Sequence, residues 1–109
     1  MINVTIYTDS LNNPTGFEVI GHAGYARSGK DIICAAVSAL VITTSNAIER
    51  FTKDTFEGYE DEKTGRISFM LSGNISKEST LLINSMILGL TDIENEYGNK
   101  YLKISYKEV

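Results

Sequence analysis

The sequence of 109 residues contains one cysteine, one histidine and one proline, and it lacks tryptophan. A single cysteine excludes a disulfide within the chain, and together with a single histidine it leaves too few soft ligands for a structural zinc site. We therefore expect no metal ion and no other cofactor. Basic residues are also scarce, at 10 Lys and Arg against 14 Asp and Glu, so direct binding to nucleic acid is disfavoured.

The sequence also lacks the usual marks of a secreted or membrane protein. Residues 1–7 alternate apolar and polar side chains and have neither the basic start nor the continuous apolar segment of a secretion signal. Runs of consecutive apolar residues fall short of the roughly 20 that cross a bilayer. We expect a soluble, cytoplasmic protein without a membrane partner, and a single domain over residues 1–109.

Hydrophobic periodicity predicts a strand–strand–helix–strand–strand–helix–strand order. Alternation of period two indicates strands, and apolar residues spaced three and four apart indicate helices. In chain order, the predicted elements are strands at 2–7 and 17–20, a helix at 31–52, strands at 55–60 and 65–71, a helix that ends at Tyr97, and a strand at 102–106. This order predicts an α+β fold in which a mainly antiparallel sheet packs against two helices.

The second predicted helix has clear ends and an unusually apolar centre. Asn74 and Ser76 are both suitable N-cap residues, and Gly98 is suited to end the helix. Residues 81–90 are apolar on nearly every face, which is more apolar surface than one face of a sheet can cover. The excess favours a homodimer, although packing within the chain could also bury it.

The single histidine and the single cysteine lie close together, within the glycine-bearing segment 21–34. A thiol is a nucleophile at neutral pH only as the thiolate, which a helix N-terminus and a nearby imidazole both favour. If Asp31 is the N-cap of the first helix, Cys34 occupies the N3 position, beside backbone N–H groups that could stabilise an oxyanion. His22 would then be the general base and afterwards the general acid. This arrangement indicates a thiol enzyme.

Plainer interpretations exist for each residue separately. A lone cysteine in a helix is usually a small buried apolar residue, and a lone histidine after a strand is usually a solvated loop residue. Asp31 could orient His22 or serve only as a helix cap, and Ser38 could bond near Cys34 or to its own helix backbone. None of these interpretations explains why the histidine, the glycines, Asp31 and the cysteine occur together in one short segment, and this joint occurrence favours the thiol enzyme.

Glycines flank the segment between the two candidate catalytic residues. Gly21 and Gly29 are suited to be hinges of a loop that closes over a substrate and brings His22 to the thiol. If a Cβ would obstruct the backbone at Gly21, we expect Gly21→Ala to slow the reaction while stability barely changes.

The residues around the histidine and the cysteine form one pattern: Gly21-His22-Ala23, Gly29, Asp31, Cys34-Ala35 and Ser38, with twelve positions from His22 to Cys34. This pattern resembles the signature of the ribosomal-processing cysteine protease family, Prp. The resemblance extends along the whole chain. It implies a Cys/His dyad endopeptidase that removes an N-terminal extension from ribosomal protein twenty-seven of the large subunit, after an apolar, aromatic-containing segment. It also implies a homodimer, with Cys34 as nucleophile and His22 as proton acceptor and donor.

Two other classes of protein remain to be weighed. A non-catalytic ribosome-assembly factor could hold the tail of a ribosomal protein in a groove near Cys34. A redox-sensing thiol protein is disfavoured, because the chain has no second cysteine to resolve a sulfenic acid.

Overall fold

The computed structural model describes residues 1–21 and 30–109, apart from the side chains of residues 30 and 31. The described elements are β1 (Ile2–Thr8), β2 (Pro14–Ile20), α1 (Lys30–Phe51), β3 (Thr55–Asp61), β4 (Arg66–Ser72), α2 (Lys77–Tyr97) and β5 (Leu102–Glu108). The strands form one sheet in the order β3-β4-β2-β1-β5. Among the described strands, the β1–β5 pair is the only parallel one, and the other three pairs are antiparallel. The predicted α+β fold with a mainly antiparallel sheet is confirmed.

One face of the sheet carries the core. On β1 the residues Ile2, Val4 and Ile6 are buried, as the period-two pattern predicts, whereas the alternate residue Asn3 is exposed. The register places Val4 opposite Val19 and continues the buried face onto β2. Strands β1 and β2 pair antiparallel, and β2 begins at Pro14, three residues earlier than expected. Proline is tolerated as the first residue of a strand, because its missing N–H removes little pairing there.

Helix α1 packs a narrow apolar stripe onto this face. Ile33, Val37, Val41 and Ile48 recur at helical spacing and are buried in the same core as the sheet residues. By length and composition alone, Ile32–Phe51 is also apolar enough to cross a membrane, which the short runs of consecutive apolar residues did not indicate. A core helix has the same composition, and the stripe of α1 is part of the core of this domain.

Helix α2 is fixed at both ends by hydrogen bonds. Of the two candidate N-caps, Ser76 is the observed one, and its hydroxyl accepts from the N–H of Ser79 at 3.1 Å. Gly98 ends the helix as predicted, with a φ of 88° and its N–H donated to the Glu94 carbonyl at 2.8 Å. Asp54, between α1 and β3, accepts from both the N–H and the hydroxyl of Ser76, at 3.0 and 2.7 Å. This carboxylate therefore ties the loop after α1 to the start of α2.

We predict that Asp54→Asn lowers the thermal midpoint at pH 7 and that the difference from wild type shrinks in acid. The hydroxyl of Ser79 and the two donors of Ser76 hold the pKa of the Asp54 carboxyl below its ordinary value. The carboxylate thus stabilises the fold above that ordinary value, and the stabilisation is lost as the pH falls through the lowered pKa. Thermal unfolding between pH 7 and pH 2 measures the effect.

The matched control is Asp92→Asn, which removes an exposed carboxylate from the surface of α2. It should change the midpoint little at any pH, because such surface substitutions are nearly neutral. An Asp54→Asn deficit of the same size at pH 2 and pH 7 would contradict the proposed role of the charge.

Candidate active site

Cys34 lines a cavity of about 290 Å³. Its side chain is half-buried and packs against the hydrophobic core. Three parts of the fold surround the cavity: the first half of α1, the end of β2 at Gly21, and the β3–β4 hairpin. Val37, Val41 and Ile67 make its wall apolar. The thiol is thus held by packing and reachable from a cleft of the size that binds a side chain.

The rim of the cavity is acidic. Glu60, Asp61 and Glu62 line it from the hairpin, and Arg66 is the cation among the described lining residues. The Arg66 guanidinium donates to a Glu18 carboxylate oxygen at 2.6 Å from Nη2 and 3.1 Å from Nε, so its charge is already paired. The unbalanced charge of the rim therefore favours a neutral or basic ligand.

Gly21 directly follows β2 and has a conformation that other residues rarely adopt. Its φ is 98°, and a Cβ built there would lie 2.5 Å from the carbonyl oxygen of Met1. A backbone conformation that a Cβ would obstruct is therefore present at Gly21, directly before His22 in the sequence. The expectation that Gly21→Ala would barely change stability is wrong, because the obstructing atom belongs to the backbone and cannot rotate away.

Helix α1 begins one residue before the position predicted for its cap. Since the helix starts at Lys30, Asp31 lies within its first turn and Cys34 is its fifth residue, not N3. The predicted N-cap role of Asp31 is therefore wrong, because the backbone already turns helically before it. The helix dipole acts mainly within the first turn, so its support for a thiolate at Cys34 is weaker than predicted.

The structure brings three of the predicted site residues together. Cys34, Gly21 and the exposed Ser38, one turn along α1, line the same cavity. His22 and Gly29 lie outside the described residues, as does the predicted closure of the loop, and the side chain of Asp31 is not described. Among the described residues, no group of three or more His, Cys, Asp or Glu side chains could hold a metal ion.

Sequence reasoning missed the contribution of the β3–β4 hairpin. Glu60, Arg66 and Ile67 approach Cys34 only because α1 folds back over the sheet. In the sequence these three residues have the pattern of an ordinary hairpin, and no motif near them indicates that they lie close to the cysteine. The order of the strands was the information needed, and the sequence pattern does not specify it.

Comparison with known proteins identifies the family of this chain. The family described as cysteine protease Prp matches residues 1–103. This chain belongs to the Prp family of cysteine proteases. The ribosomal processing cysteine protease Prp of Bacillus subtilis strain 168 is 34% identical over 103 residues, which cover 89% of this chain and 90% of the relative.

Two crystal structures of the ribosomal processing protease Prp from S. aureus have the same fold. One, in complex with a covalently linked product peptide, has 30% identity and a TM-score of 0.88. The other, in complex with a substrate peptide, has 29% identity and a TM-score of 0.89. The match covers 98% of this chain and 100% of each of those chains. The Prp fold therefore accounts for the whole domain, and this Prp chain is a cysteine protease.

We predict that Gly21→Ala lowers the thermal midpoint and that it does so more than Gly98→Ala. Both glycines have positive φ, but a Cβ at Gly98 would meet nothing within 4 Å. Backbone strain alone costs on the order of 1–3 kcal/mol at either site, and only Gly21 adds the clash with Met1. Thermal or urea unfolding of the two variants measures the difference. Equal losses would show that the contact with Met1 is relieved at no cost.

Proposed function

We propose that this chain removes the N-terminal extension of the precursor of ribosomal protein twenty-seven of the large subunit, with Cys34 as nucleophile and His22 as proton acceptor and donor. The observation that carries the proposal is the half-buried Cys34 in the lining of a cavity, in a Prp chain. The S. aureus relative in complex with a covalently linked product peptide supports an acyl-enzyme intermediate. Such a substrate would place the enzyme in the cytoplasm.

In the first half of the proposed reaction, the Cys34 sulfur attacks the carbonyl carbon of the scissile peptide bond. His22 accepts the thiol proton, and the carbonyl oxygen becomes an oxyanion. The first-turn N–H groups of α1, which a helix leaves without an internal partner, are available to stabilise that charge. When the C–N bond breaks, His22 gives its proton to the departing amine, and the N-terminal part of the substrate remains bound as a thioester.

In the second half, a water molecule attacks the thioester carbonyl. His22 accepts a proton from the water, the C–S bond breaks, and the proton returns to the Cys34 sulfur as the carboxylic acid product leaves. Because Cys34 is the fifth residue of α1 and the dipole is weak there, His22 supplies most of the driving force for thiolate formation. In this proposal, formation of the Cys34 thiolate therefore depends more on the His22 imidazole, and less on the helix dipole, than the sequence alone indicated.

The neighbouring residues have positioning roles in this proposal. Gly21 turns the chain from the end of β2 toward His22, and Gly29 would be the second hinge at the start of α1. Asp31 lies in the first turn of α1, and in this proposal it orients His22, which is the role that the sequence left open beside that of a cap. Ser38 would contact the peptide, because it is exposed and lines the cavity beside Cys34.

We predict that Cys34→Ala abolishes cleavage of the precursor and leaves the thermal midpoint within a few degrees of wild type. The change removes the nucleophile, and alanine is the best helix former. His22→Ala should remove nearly all turnover, because the proposed acceptor of the thiol proton is lost. Mass spectrometry of the incubated precursor measures cleavage, and processing by Cys34→Ala would refute the mechanism.

Alkylation separates the protease from a ribosome-assembly factor that only binds the protein tail. In wild type, iodoacetamide should modify Cys34 quickly at neutral pH, and the rate should fall at least about tenfold in His22→Ala. Equal, slow alkylation of both proteins would indicate a structural thiol. Ser38→Ala is the matched control, since it changes the cavity beside Cys34 without removing a proton acceptor.

We propose further that the enzyme is a homodimer through the exposed side of α2. Leu81 and Leu88 are seven residues apart on one side of the helix and are 70% and 64% exposed. In α1, only 28% of an 18-residue apolar window within Ile32–Phe51 is buried within the chain. Apolar helix surface of this kind is typical of an interface between subunits.

We predict that replacing both Leu81 and Leu88 with lysine converts the dimer to a monomer. Two charges in an apolar, symmetric interface meet their own copies across the axis, which costs desolvation and repulsion. Light scattering coupled to size-exclusion chromatography measures the mass. Leu11→Lys, at an 80% exposed turn position, is the control and should remain dimeric. A monomeric wild type, or a dimeric double variant, would contradict this interface.

A further inference from the structure

A second cavity continues the first along α1. Its volume is about 280 Å³, and it shares Ile42, Glu60 and Ile67 with the cavity at Cys34. The two cavities therefore form one groove, with α1 on one side and the β3–β4 hairpin on the other. Cys34 lies at one end, and Glu49 and Phe56 lie toward the other.

The groove exists because the inner face of β3 is left uncovered. At its centre, Gly58 has no side chain, and a Cβ built there would find its nearest neighbours 3.9 Å away. On the facing wall, Ile42 of α1 is 41% exposed. The strand thus offers open space over an apolar floor in the place where a core side chain would ordinarily lie.

The floor of the groove is the end of an aromatic stack. Phe17 and Phe69 stack with their ring centroids 5.3 Å apart, and Phe69 and Phe56 stack at 4.7 Å. Phe17 and Phe69 are buried, but Phe56 is only half-buried and lines the second cavity. A further aromatic ring entering the groove beside Gly58 would meet the free side of this stack. An aromatic pair of this kind contributes about 0.5–1.5 kcal/mol of stabilisation in addition to that from burying apolar surface.

The length of α1 sets how far this floor lies from the thiol. Ile42 follows Cys34 by eight residues and Asn46 by twelve, which at the helical rise corresponds to about 12 and 18 Å. An extended peptide advances about 3.3 Å per residue. A side chain over the second cavity therefore belongs to a residue roughly four or five positions from the scissile bond.

We propose that this second cavity is a remote substrate subsite, which takes an apolar and preferably aromatic side chain four or five positions before the scissile bond, and that Gly58 determines this specificity by keeping the subsite open. The inference rests on the proposed protease function. We assign the occupant to the N-terminal side of the cut, which is the part that the proposed thioester keeps at Cys34. Glu49 and Glu60 at the rim favour basic residues next to the apolar anchor.

The test compares Gly58→Val with Glu57→Val. Successive strand residues point to opposite faces, so the first change fills the groove and the second puts the same side chain on the outer face of the same strand. We expect Gly58→Val to lower kcat/KM on a peptide spanning the precursor junction by about tenfold or more, mainly through KM. Glu57→Val should stay near wild type. Both should keep the wild-type thermal midpoint, since valine suits a strand.

Ile42→Ala is a second variant, which shortens a side chain on the opposite wall and adds no bulk. It should also lower kcat/KM. Replacing each apolar residue of the peptide by alanine locates the anchor. In wild type, the loss should be largest four or five positions before the cut, and Gly58→Val should be insensitive to that replacement. Equal sensitivity of both enzymes, or wild-type cleavage by Gly58→Val, would overturn the subsite.

Binding separates failure of the subsite from failure of the protease proposal. In the Cys34→Ala background, fluorescence anisotropy of the labelled precursor peptide measures affinity without cleavage. Weaker binding by the added Gly58→Val change supports the subsite even if wild type does not cut the peptide. Unchanged binding refutes the subsite even if cleavage is efficient.

Discussion

The packing of α1 across the inner face of the sheet is the contact on which the site depends. Its buried stripe begins at Ile33, next to Cys34, and continues through Val37 and Val41. Because these residues must face β1, β2 and β4, the adjacent strip that contains Cys34, Ser38 and Ile42 must face the β3–β4 hairpin. The position of the thiol and the direction of the groove are thus consequences of one hydrophobic contact.

The same contact explains why the thiol of Cys34 is held partly inside the fold. Cys34 packs against the core on one side and opens to the cavity on the other. The start of α1 at Lys30 leaves the helix dipole with a smaller share of the activation. A half-buried thiol with little support from the dipole is consistent with the proposed role of His22 as proton acceptor.

Much of the fold could be predicted, because strands and helices have local signatures. The alternation at Ile2, Val4 and Ile6, the cap at Ser76 and the stop at Gly98 were all readable from short segments. The parallel pairing of β5 with β1 was not, since parallel partners are distant along the chain and no turn specifies them. The start of α1 was misplaced by a residue because Asp31 suits both a cap and a first turn.

For the site, the nearby pair His22 and Cys34 could be found, whereas the surface that meets the substrate could not. That surface is made by the absence of a side chain at Gly58 and by the partial exposure of Phe56, and neither has meaning until strand order is known. A single glycine in an edge strand reads as a weak strand former. In this fold it leaves an aromatic stack open to solvent.

An open apolar floor has an energetic consequence that links folding to recognition. Covering β3 with a longer side chain or a third helix would bury more apolar area, worth about 25 cal/mol per Å², and would make the free protein more stable. The chain instead leaves Phe56 half-buried and Gly58 bare beside Ile42. An apolar peptide that lies in the groove recovers part of this burial, so binding completes the core of the domain. Selectivity for apolar segments then follows from the same hydrophobic effect that stabilises the fold, and the acidic rim discriminates further by charge.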